Sequence, residues 1–448
     1  MKIVYGSSVI VYLLIFFSVL CVGVDFIWSQ SIISFDPWVE YFSGESGGRF
    51  DENFFKYHLG RLVRGEDKKR FEEVGFACHR DYFSILCVTD RPVMIDTRKK
   101  NMTVYVSSDE FSDGEIVFRP YARRYDEPTS VTPVRIVRRG RDGNPPECQF
   151  NHSVPAVVFS AGGMGNIFHE VNEMVIPLFI TAKQFQSQVQ FVVGDQNRKF
   201  MFKFGKVLGG LSDYEAIDPS EKQGILCFPS AVVGLKYHGN LALNSSDIPG
   251  GYSMTDFRRF LRRAYDLKFD HVSQIRKPRL ALLSRTTTRR ILNEEEVISE
   301  IRQVGFEPVV IRRSKNVSDV NDFSKLINSC KVLVGVHGAG LTNEIFLPDG
   351  AAMIQLELLG MEWGSNAYYG DTARAMHVIY LKYKIQREES SLLKLYGRDH
   401  PAMVHPDSVY ELGGYPAARA IFLDQQNVRV NLTRFRATLV EALSIVSN

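Results

Sequence analysis

The sequence predicts an α/β fold of two halves behind an N-terminal apolar segment, and three observations carry that expectation. Between Arg279 and Leu358, strand-like and helix-like stretches alternate at the spacing of βαβ units, which implies a parallel sheet. Two apolar runs, Val154–Ser160 and Val332–Val336, each lead into a glycine turn and then a helix start. Ile3–Val24 carries no charged residue and is close to the length that crosses a bilayer.

Composition sets the outer bounds. The chain has 448 residues, 45% hydrophobic and 23% charged, ample for two domains. A net charge of +3 is too mild for a nucleic-acid binder. Residues 1–28 read as a short cytoplasmic tail and a single membrane anchor, with Lys2 before the apolar run and Asp25 closing it. A cleaved signal peptide is the rival reading, since Cys21 and Gly23 offer small residues for a cut. Either reading sends the rest of the chain into the secretory pathway. Five glycosylation acceptors agree with that address: Asn101, Asn151, Asn244, Asn316 and Asn431. Beyond Cys21, the five remaining cysteines leave at least one thiol without an intramolecular partner. The short loop between Cys78 and Cys87 makes them the preferred disulfide, and the five have no metal-site spacing.

Taken in order, residues 29–75 are rich in Ser, Gly and charge and read as an exposed stem. Residues 76–270 form the first half. Short strands are expected at Arg91–Asp96, Met102–Ser107, Glu115–Arg119 and Val134–Arg138, with no chemistry legible in them. Val154–Ser160 is a strand, Ala161–Gly165 a turn containing Gly162 and Gly163, and Asn166 the N-cap of a helix. Apolar residues 167, 168, 171, 174, 175 and 178 mark one face of that helix, with His169, Glu170 and Glu173 elsewhere. His169 and Glu173 are four apart and meet one turn into the helix. A carboxylate just past a glycine turn at a strand end is well placed as a general base; an ordinary solvated face is the alternative. Pro177 should kink or shorten the helix. Further on, Thr255 or Asp256 caps a basic helix whose Arg258, Arg259, Arg262 and Arg263 read as a solvated charged face.

Residues 271–430 form the second half. Arg279–Ser284 is a strand, Asn293 caps a helix with Glu296 at the capping-box position, and Gly305 stops it. Phe306–Ile311, Asp319–Ser329 and Lys331–Val336 continue as strand, helix and strand. The right-handed crossover rule puts all strand C-termini along one edge. Ser284-Arg285 and the turn His337-Gly338-Ala339-Gly340 both lie there, so Arg285, Arg289 and Arg290 can face the turn. Positive groups meeting a helix N-terminus at Leu341 describe a diphosphate site. Residues 431–448 read as a final helix from about Leu432.

With these residues assembled, the chain resembles the plant members of glycosyltransferase family 61. The resemblance rests on VPAVVFSAGGMGNIFHEVNEMVIPLFIT, KPRLALLSRTTTRRILNEEE, VLVGVHGAGLTNEIFLPDGAAMIQLE, EESSLLKLYGRDHP and FLDQQNVRVNLTRF, and covers almost everything from Cys78 onward. It implies two Rossmann-like lobes of GT-B type, anchored in the Golgi membrane as a single-pass type II protein with the catalytic part in the lumen. It implies an inverting, metal-independent transfer of an arabinofuranosyl or xylosyl residue from a UDP-sugar to a xylan-like polysaccharide. The second half would be the donor lobe and the first the acceptor lobe. The resemblance gives the diphosphate to Arg285, with Arg289 or Arg290, and to His337–Gly340, with Ser284 beside them. Gln355 matches a position that looks like Glu in animal relatives, and Glu357 is the nearby alternative for holding ribose. Glu173, with His169, takes the place of the acid that in relatives is usually Asp.

No cofactor is expected. Asp-x-Asp, the pair that holds a divalent cation on a sugar nucleotide, occurs nowhere in the chain. The charge growing on departing UDP must then be met by Arg, His and N–H groups. Two rival readings stand beside the enzyme. One is a catalytically silent relative that binds sugar or nucleotide, favoured by Glu in place of Asp at 173. The other is a nicotinamide-dependent oxidoreductase, since Gly338-Ala339-Gly340 with Glu357 imitates a dinucleotide fingerprint; it lacks the third glycine, whose place Asn343 holds.

Overall fold

The computed structural model describes residues 51–447 apart from 83, 108–113, 124–128, 139–146, 163–164, 197 and 313–319. The anchor expected over residues 1–28, and the sites Gly163 and Asn316, lie outside the described residues. Phe55–Asn448 is one compact unit; of the other, Met1–Phe54, only residues 51–54 are described.

Among the described residues, the first half contains eleven strands: β1 Phe76–Arg80, β2 Ile85–Thr89, β3 Val93–Asp96, β4 Thr103–Val106, β5 Ile116–Phe118, β6 Val134–Arg138, β7 Phe150–Asn151, β8 Ala156–Ser160, β9 Gln190–Gly194, β10 Ile225–Phe228 and β11 Ala231–Val233. They make two mixed sheets, ordered β1-β2-β11-β8-β9 and β5-β6-β4-β3-β10-β7. β11, β8 and β9 pair in parallel, as a βαβ unit requires, and the second sheet has two further parallel pairs, β4 with β6 and β7 with β10. Inward residues of both sheets, such as Ile95, Val104, Val158 and Val192, share one core. Cys78 and Cys87 face each other across the β1–β2 hairpin and are bonded; Cys148 and Cys227 form a second disulfide. Cys330 is free, and burial raises its thiol pKa to about 11, which keeps it an inert core residue.

The second half is the cleaner. Its strands β12 Arg279–Ser284, β13 Glu307–Arg312, β14 Val332–Val336, β15 Ala352–Glu357 and β16 Ile379–Lys384 form one wholly parallel sheet, ordered β13-β12-β14-β15-β16. All five residues of β14 are buried, as a central strand covered on both faces must be. The order reverses at β12 and β14, so the crevice for a ligand opens at their C-terminal ends. Those ends carry Ser284-Arg285 and His337–Gly340. The C-terminal helix Leu432–Ser447 packs Phe435, Leu439, Ala442 and Val446 into the same core as helix Glu294–Val304.

Three local expectations change. Residues 52–74, read as stem, carry helices Glu52–Gly60 and Gly65–Val74 and bury Leu59, Leu62, Val63 and Phe71. Phe55 and Leu59 lie four apart on the first helix and Leu62 and Val63 follow its end, a short apolar pattern that the surrounding charge hides in composition. Asn293 starts its helix without a side-chain cap; its amide instead clamps the backbone of Val430 from both sides. The basic helix is Met254–Tyr265, capped by a Ser253–Asp256 box that begins ahead of the expected cap. Its arginines are not all solvated. Arg258 is 1% exposed and pairs with Asp349 at 2.7 Å, where Arg262 joins it at 2.6 Å.

Candidate active site

Two cavities meet at the C-terminal edge of the parallel sheet. One, about 490 Å³, is lined by Ser284, Arg285, Arg289, Ala339 and Gly340, with Ile311, Val320 and Phe323 as an apolar wall. The other, about 810 Å³, is lined by His169, Phe168 and Arg123 from the first half and by Arg289, His337, Gly338, Trp363 and Tyr368 from the second. Asn166, Arg289 and Ala339 border both.

Asn166 caps its helix as expected, its Oδ1 accepting from Phe168 N–H at 3.0 Å. The α-helix lasts only from Ile167 to Glu170, then widens into a π turn, Val171–Val175, in which Ile176 N–H reaches Val171 O. Pro177 follows in the first turn of Ile176–Ala182. Having no N–H, it leaves the Glu173 carbonyl without an α-helical donor, and the wider turn absorbs that defect. Glu170 and Glu173 are both buried, although the helical face read from sequence leaves them outside.

Glu173 is 2% exposed and satisfied by three partners. Tyr121 O–H donates to Oε2 at 2.6 Å and Arg123 Nη1 to Oε1 at 3.2 Å. His169 Nδ1 lies 2.7 Å from Oε1. Burial pushes the carboxyl pKa up, but the hydrogen bonds from His169 and Tyr121 and the charge nearby outweigh it and hold the acid below its ordinary value. An ionised Glu173 makes Nδ1–H the donor, which leaves the ring lone pair on Nε2. His169, by contrast, has 43% of its side chain exposed and forms part of the cavity wall. Glu170 makes a separate set of bonds. It accepts Gly165 N–H at 2.8 Å, and both its oxygens bind Lys203 Nζ, at 2.9 and 2.8 Å. The turn before the helix is thereby tied down. Gly162 faces inward rather than to a ligand: a β-carbon there would lie 2.9 Å from Val131 and 3.1 Å from Ser130 O.

On the other wall, Gly338 adopts φ +149°, and a β-carbon on it would sit 2.7 Å from Arg289 Nη1 and 3.1 Å from Arg285 Nη1. Both guanidinium groups therefore converge on the bare backbone of the glycine turn. Arg289 itself holds a left-handed φ of +56°, donates to His337 O at 3.1 Å, and has a buried Nε with no partner among the described residues. A strained non-glycine backbone at such a point fits a functional demand. Arg290, its sequence neighbour, is exposed and borders neither cavity. The segment after the turn is a 3₁₀ helix, Ala339–Phe346, in place of the expected α-helix from Leu341. Asn343 Nδ2 donates to Gly340 O at 2.8 Å within it.

His337 is buried, and burial together with the charges of Arg289 and Arg285 pushes its pKa down to about 3. It is thus a neutral imidazole, contributing an N–H and no charge. Gln355 sets the tautomer: Tyr380 O–H donates to its Oε1, and its Nε2 donates to His337 Nδ1 at 2.8 Å. Gln355 and Glu357, expected at a ribose, are both fully buried in β15 and border neither cavity. Glu357 lies 3.4 Å from Lys382, and burial raises its pKa. Ser284 borders the smaller cavity and donates to Glu294 Oε2 at 2.5 Å. Among the described residues, no three of His, Cys, Asp or Glu gather into a metal-holding cluster. The four described acceptor asparagines, Asn101, Asn151, Asn244 and Asn431, are all exposed.

Tyr121, Arg123 and Lys203 are the site residues that sequence reasoning missed. Tyr121 and Arg123 follow a short strand in a turn-rich stretch, where nothing in spacing points at Glu173. A Gly338→Ala substitution tests the convergence of arginines. A diphosphate held at this turn should bind about tenfold more weakly, because the methyl displaces Arg289 and the φ costs roughly 1–3 kcal/mol. Calorimetric titration with UDP reads it, and unchanged affinity would separate the turn from the ligand.

A family profile described as Glycosyltransferase 61 matches residues 167–354, which span both walls of this site. The chain is 32% identical to a xylan glycosyltransferase of Arabidopsis thaliana (MUCI21), over 83% of this chain and 80% of that one. It is 35% identical to a beta-1,2-xylosyltransferase of Oryza sativa subsp. japonica (XYXT1), covering 73% and 72% of the two chains. With an alpha-1,3-arabinosyltransferase of the same species (XAT3) the identity is 40%, over 72% of this chain but only 57% of the relative's length. On the profile and on these identities over most of the chain, it belongs to glycosyltransferase family 61.

Proposed function

We propose that the protein is an inverting, metal-independent glycosyltransferase that moves an arabinofuranosyl or xylosyl residue from a UDP-sugar to a xylan-type polysaccharide. The observation that carries the reading is a histidine oriented by a buried carboxylate, facing across one cavity a glycine turn on which two arginines converge. A base and a leaving-group cradle on opposite walls suit a single displacement. Relatives whose names give xylan, arabinosyl or xylosyl transfer support the acceptor and the donor class. The two halves correspond, on this reading, to the acceptor and donor lobes of a GT-B enzyme, carried into the Golgi lumen by the N-terminal segment.

Arg285, Arg289 and the backbone N–H groups after Gly338 hold the diphosphate. The sugar extends into the larger cavity, where His169 is, and the nucleoside into the smaller one against Ile311, Val320 and Phe323. His169 acts as the base and Glu173 orients it. The ring nitrogen opposite Nδ1 takes the proton of an acceptor hydroxyl while that oxygen bonds to the anomeric carbon. The bond from that carbon to the UDP oxygen breaks on the other face, so configuration inverts. The arginines and the neutral His337 N–H meet the negative charge left on UDP, where fixed donors are worth most.

Incubating the full chain with UDP-arabinofuranose or UDP-xylose and xylan oligomers tests the reading. UDP release with a pentosylated product supports it, and persistence of transfer with divalent cations chelated supports its metal independence. Binding without turnover indicates a silent relative instead. Arg289→Ala should weaken UDP binding by about 10- to 100-fold, the range for a lost hydrogen bond to a charged group. Arg290→Ala should change it by less than about twofold, since surface charges are screened and worth little. Equal losses in both would contradict the assignment to Arg289.

A further inference from the structure

Trp363 is the only tryptophan after residue 38, and it is 70% exposed. Tryptophan carries a large apolar surface and is highly buried on average, so one left open at the wall of a cavity calls for an occupant. It lies in the short helix Glu362–Ser365, directly beyond the C-terminal end of β15. A π turn, Asn366–Gly370, follows and brings Tyr368 and Tyr369 to the same wall. Trp363 stands edge-to-face with Tyr368, ring centroids 5.5 Å apart, and Tyr368 likewise with Phe168 at 5.2 Å. The row therefore runs from His169's own neighbour on the first half out to the solvent on the second. Tyr415, 57% exposed, borders the same cavity from another segment, beside a left-handed Gly414.

From this row we infer that Trp363, with Tyr415, is the platform on which the acceptor glycan lies, stacking the apolar faces of successive pentose rings as they approach His169. The inference rests on the glycosyltransferase reading and adds the place of its acceptor. The chemistry is specific to a neutral sugar chain. The axial C–H bonds of a β-linked pentopyranose present a weakly positive, apolar face, which the negative face of an aromatic ring attracts. Arg123, Arg289 and Arg419 also line this cavity, but Trp363 and Tyr415 offer apolar ring faces and no charge, which suits a neutral sugar ring. The nucleoside has its own cavity on the far side of Arg285 and Arg289, with a different apolar wall. Nothing else of the donor needs a second aromatic surface outside the base.

The test compares full-length wild type with Trp363→Ala, Trp363→Phe and Tyr415→Ala, using linear β-1,4-xylo-oligosaccharides of two to six residues with a saturating UDP-pentose, and UDP alone in a binding titration. Trp363 is so exposed that its truncation opens no core cavity. The acceptor KM for xylohexaose should rise at least tenfold in Trp363→Ala and less in Tyr415→Ala, with Phe at 363 restoring most of it. The rise should shrink for xylobiose, which has fewer rings to stack on the platform. UDP affinity should stay within twofold. A wild-type enzyme that transfers to xylo-oligosaccharides but whose Trp363→Ala variant keeps its acceptor KM overturns this inference alone. So does a variant whose UDP affinity falls in step with acceptor KM, because Trp363 would then belong to the donor. A wild-type chain that transfers nothing to xylan removes the functional reading and the platform with it.

Discussion

On the proposed mechanism, His169→Ala should lower kcat for glycosyl transfer by roughly 10²- to 10⁴-fold, the usual worth of a positioned general base, while UDP affinity stays within about twofold. The expectation follows from what each member of the pair touches. His169 is open to the cavity, whereas Glu173 lies beneath it with its oxygens already engaged by Tyr121, Arg123 and His169. A buried carboxylate held below its ordinary pKa by those donors is a poor proton acceptor but a good anchor for Nδ1–H. Glu173→Gln should therefore also lower kcat, because the ring loses its fixed tautomer, and should again spare UDP. Residues acting as one unit are not additive, so the double variant should be no slower than His169→Ala. A Glu173→Gln enzyme slower than His169→Ala would return the role of base to the carboxylate.

The largest expected effect on stability belongs to Arg258→Met, about 3–5 kcal/mol, the range for breaking one side of a buried ion pair. Arg258 reaches from helix Met254–Tyr265 into the second half, where it donates to Asp349 at 2.7 Å and to the carbonyls of Leu347 and Met376. Leu347 closes the 3₁₀ segment that begins at the glycine turn, so the ion pair ties the two walls of the site behind the chemistry. Methionine fills the volume yet takes the Arg258 donor from the Leu347 and Met376 carbonyls and leaves Asp349 with Arg262 alone, which costs more than the pair itself contributes. Thermal unfolding of the purified chain reads the loss, and an unchanged midpoint would refute it. Acid provides a second check. Burial raises the pKa of Asp349, but the hydrogen bond from Arg262 and the charge of Arg258 bring it below the ordinary value. Its stabilisation is thus present above the unfolded carboxylate pKa and is lost as pH falls through the lower folded one. The wild type should lose stability on acidification more steeply than Arg258→Met.

Much of the wall around the glycine turn after β14 could be read from the chain alone. Alternating apolar runs and glycine turns placed β12, β14 and the loops after them, and the crossover rule put Arg285 and His337 at one edge of a sheet that is indeed parallel. The N-cap at Asn166 and the meeting of His169 with Glu173 were equally local, decided within a single turn of chain. Which of two adjacent arginines enters the site was not local: a left-handed backbone at Arg289 turns it toward Gly338 and its neighbour toward solvent.

The same limit explains the other differences. Helical periodicity assigns Glu173 to an outer face, but every residue of the π turn Val171–Val175 is buried, so packing covers that face as well as the apolar one. Tyr121, Arg123 and Arg258 lie 52, 50 and 91 residues from the partners they bind, beyond the reach of any pattern in the sequence. Sequence by itself determined the strands, the glycine turns and the Asn166 cap that flank the site, because those depend on neighbours within a few positions. Only the packing of one element against another decided which carboxylate is buried, which histidine is open and which is neutral, since desolvation and charge pairing are properties of the assembled surroundings.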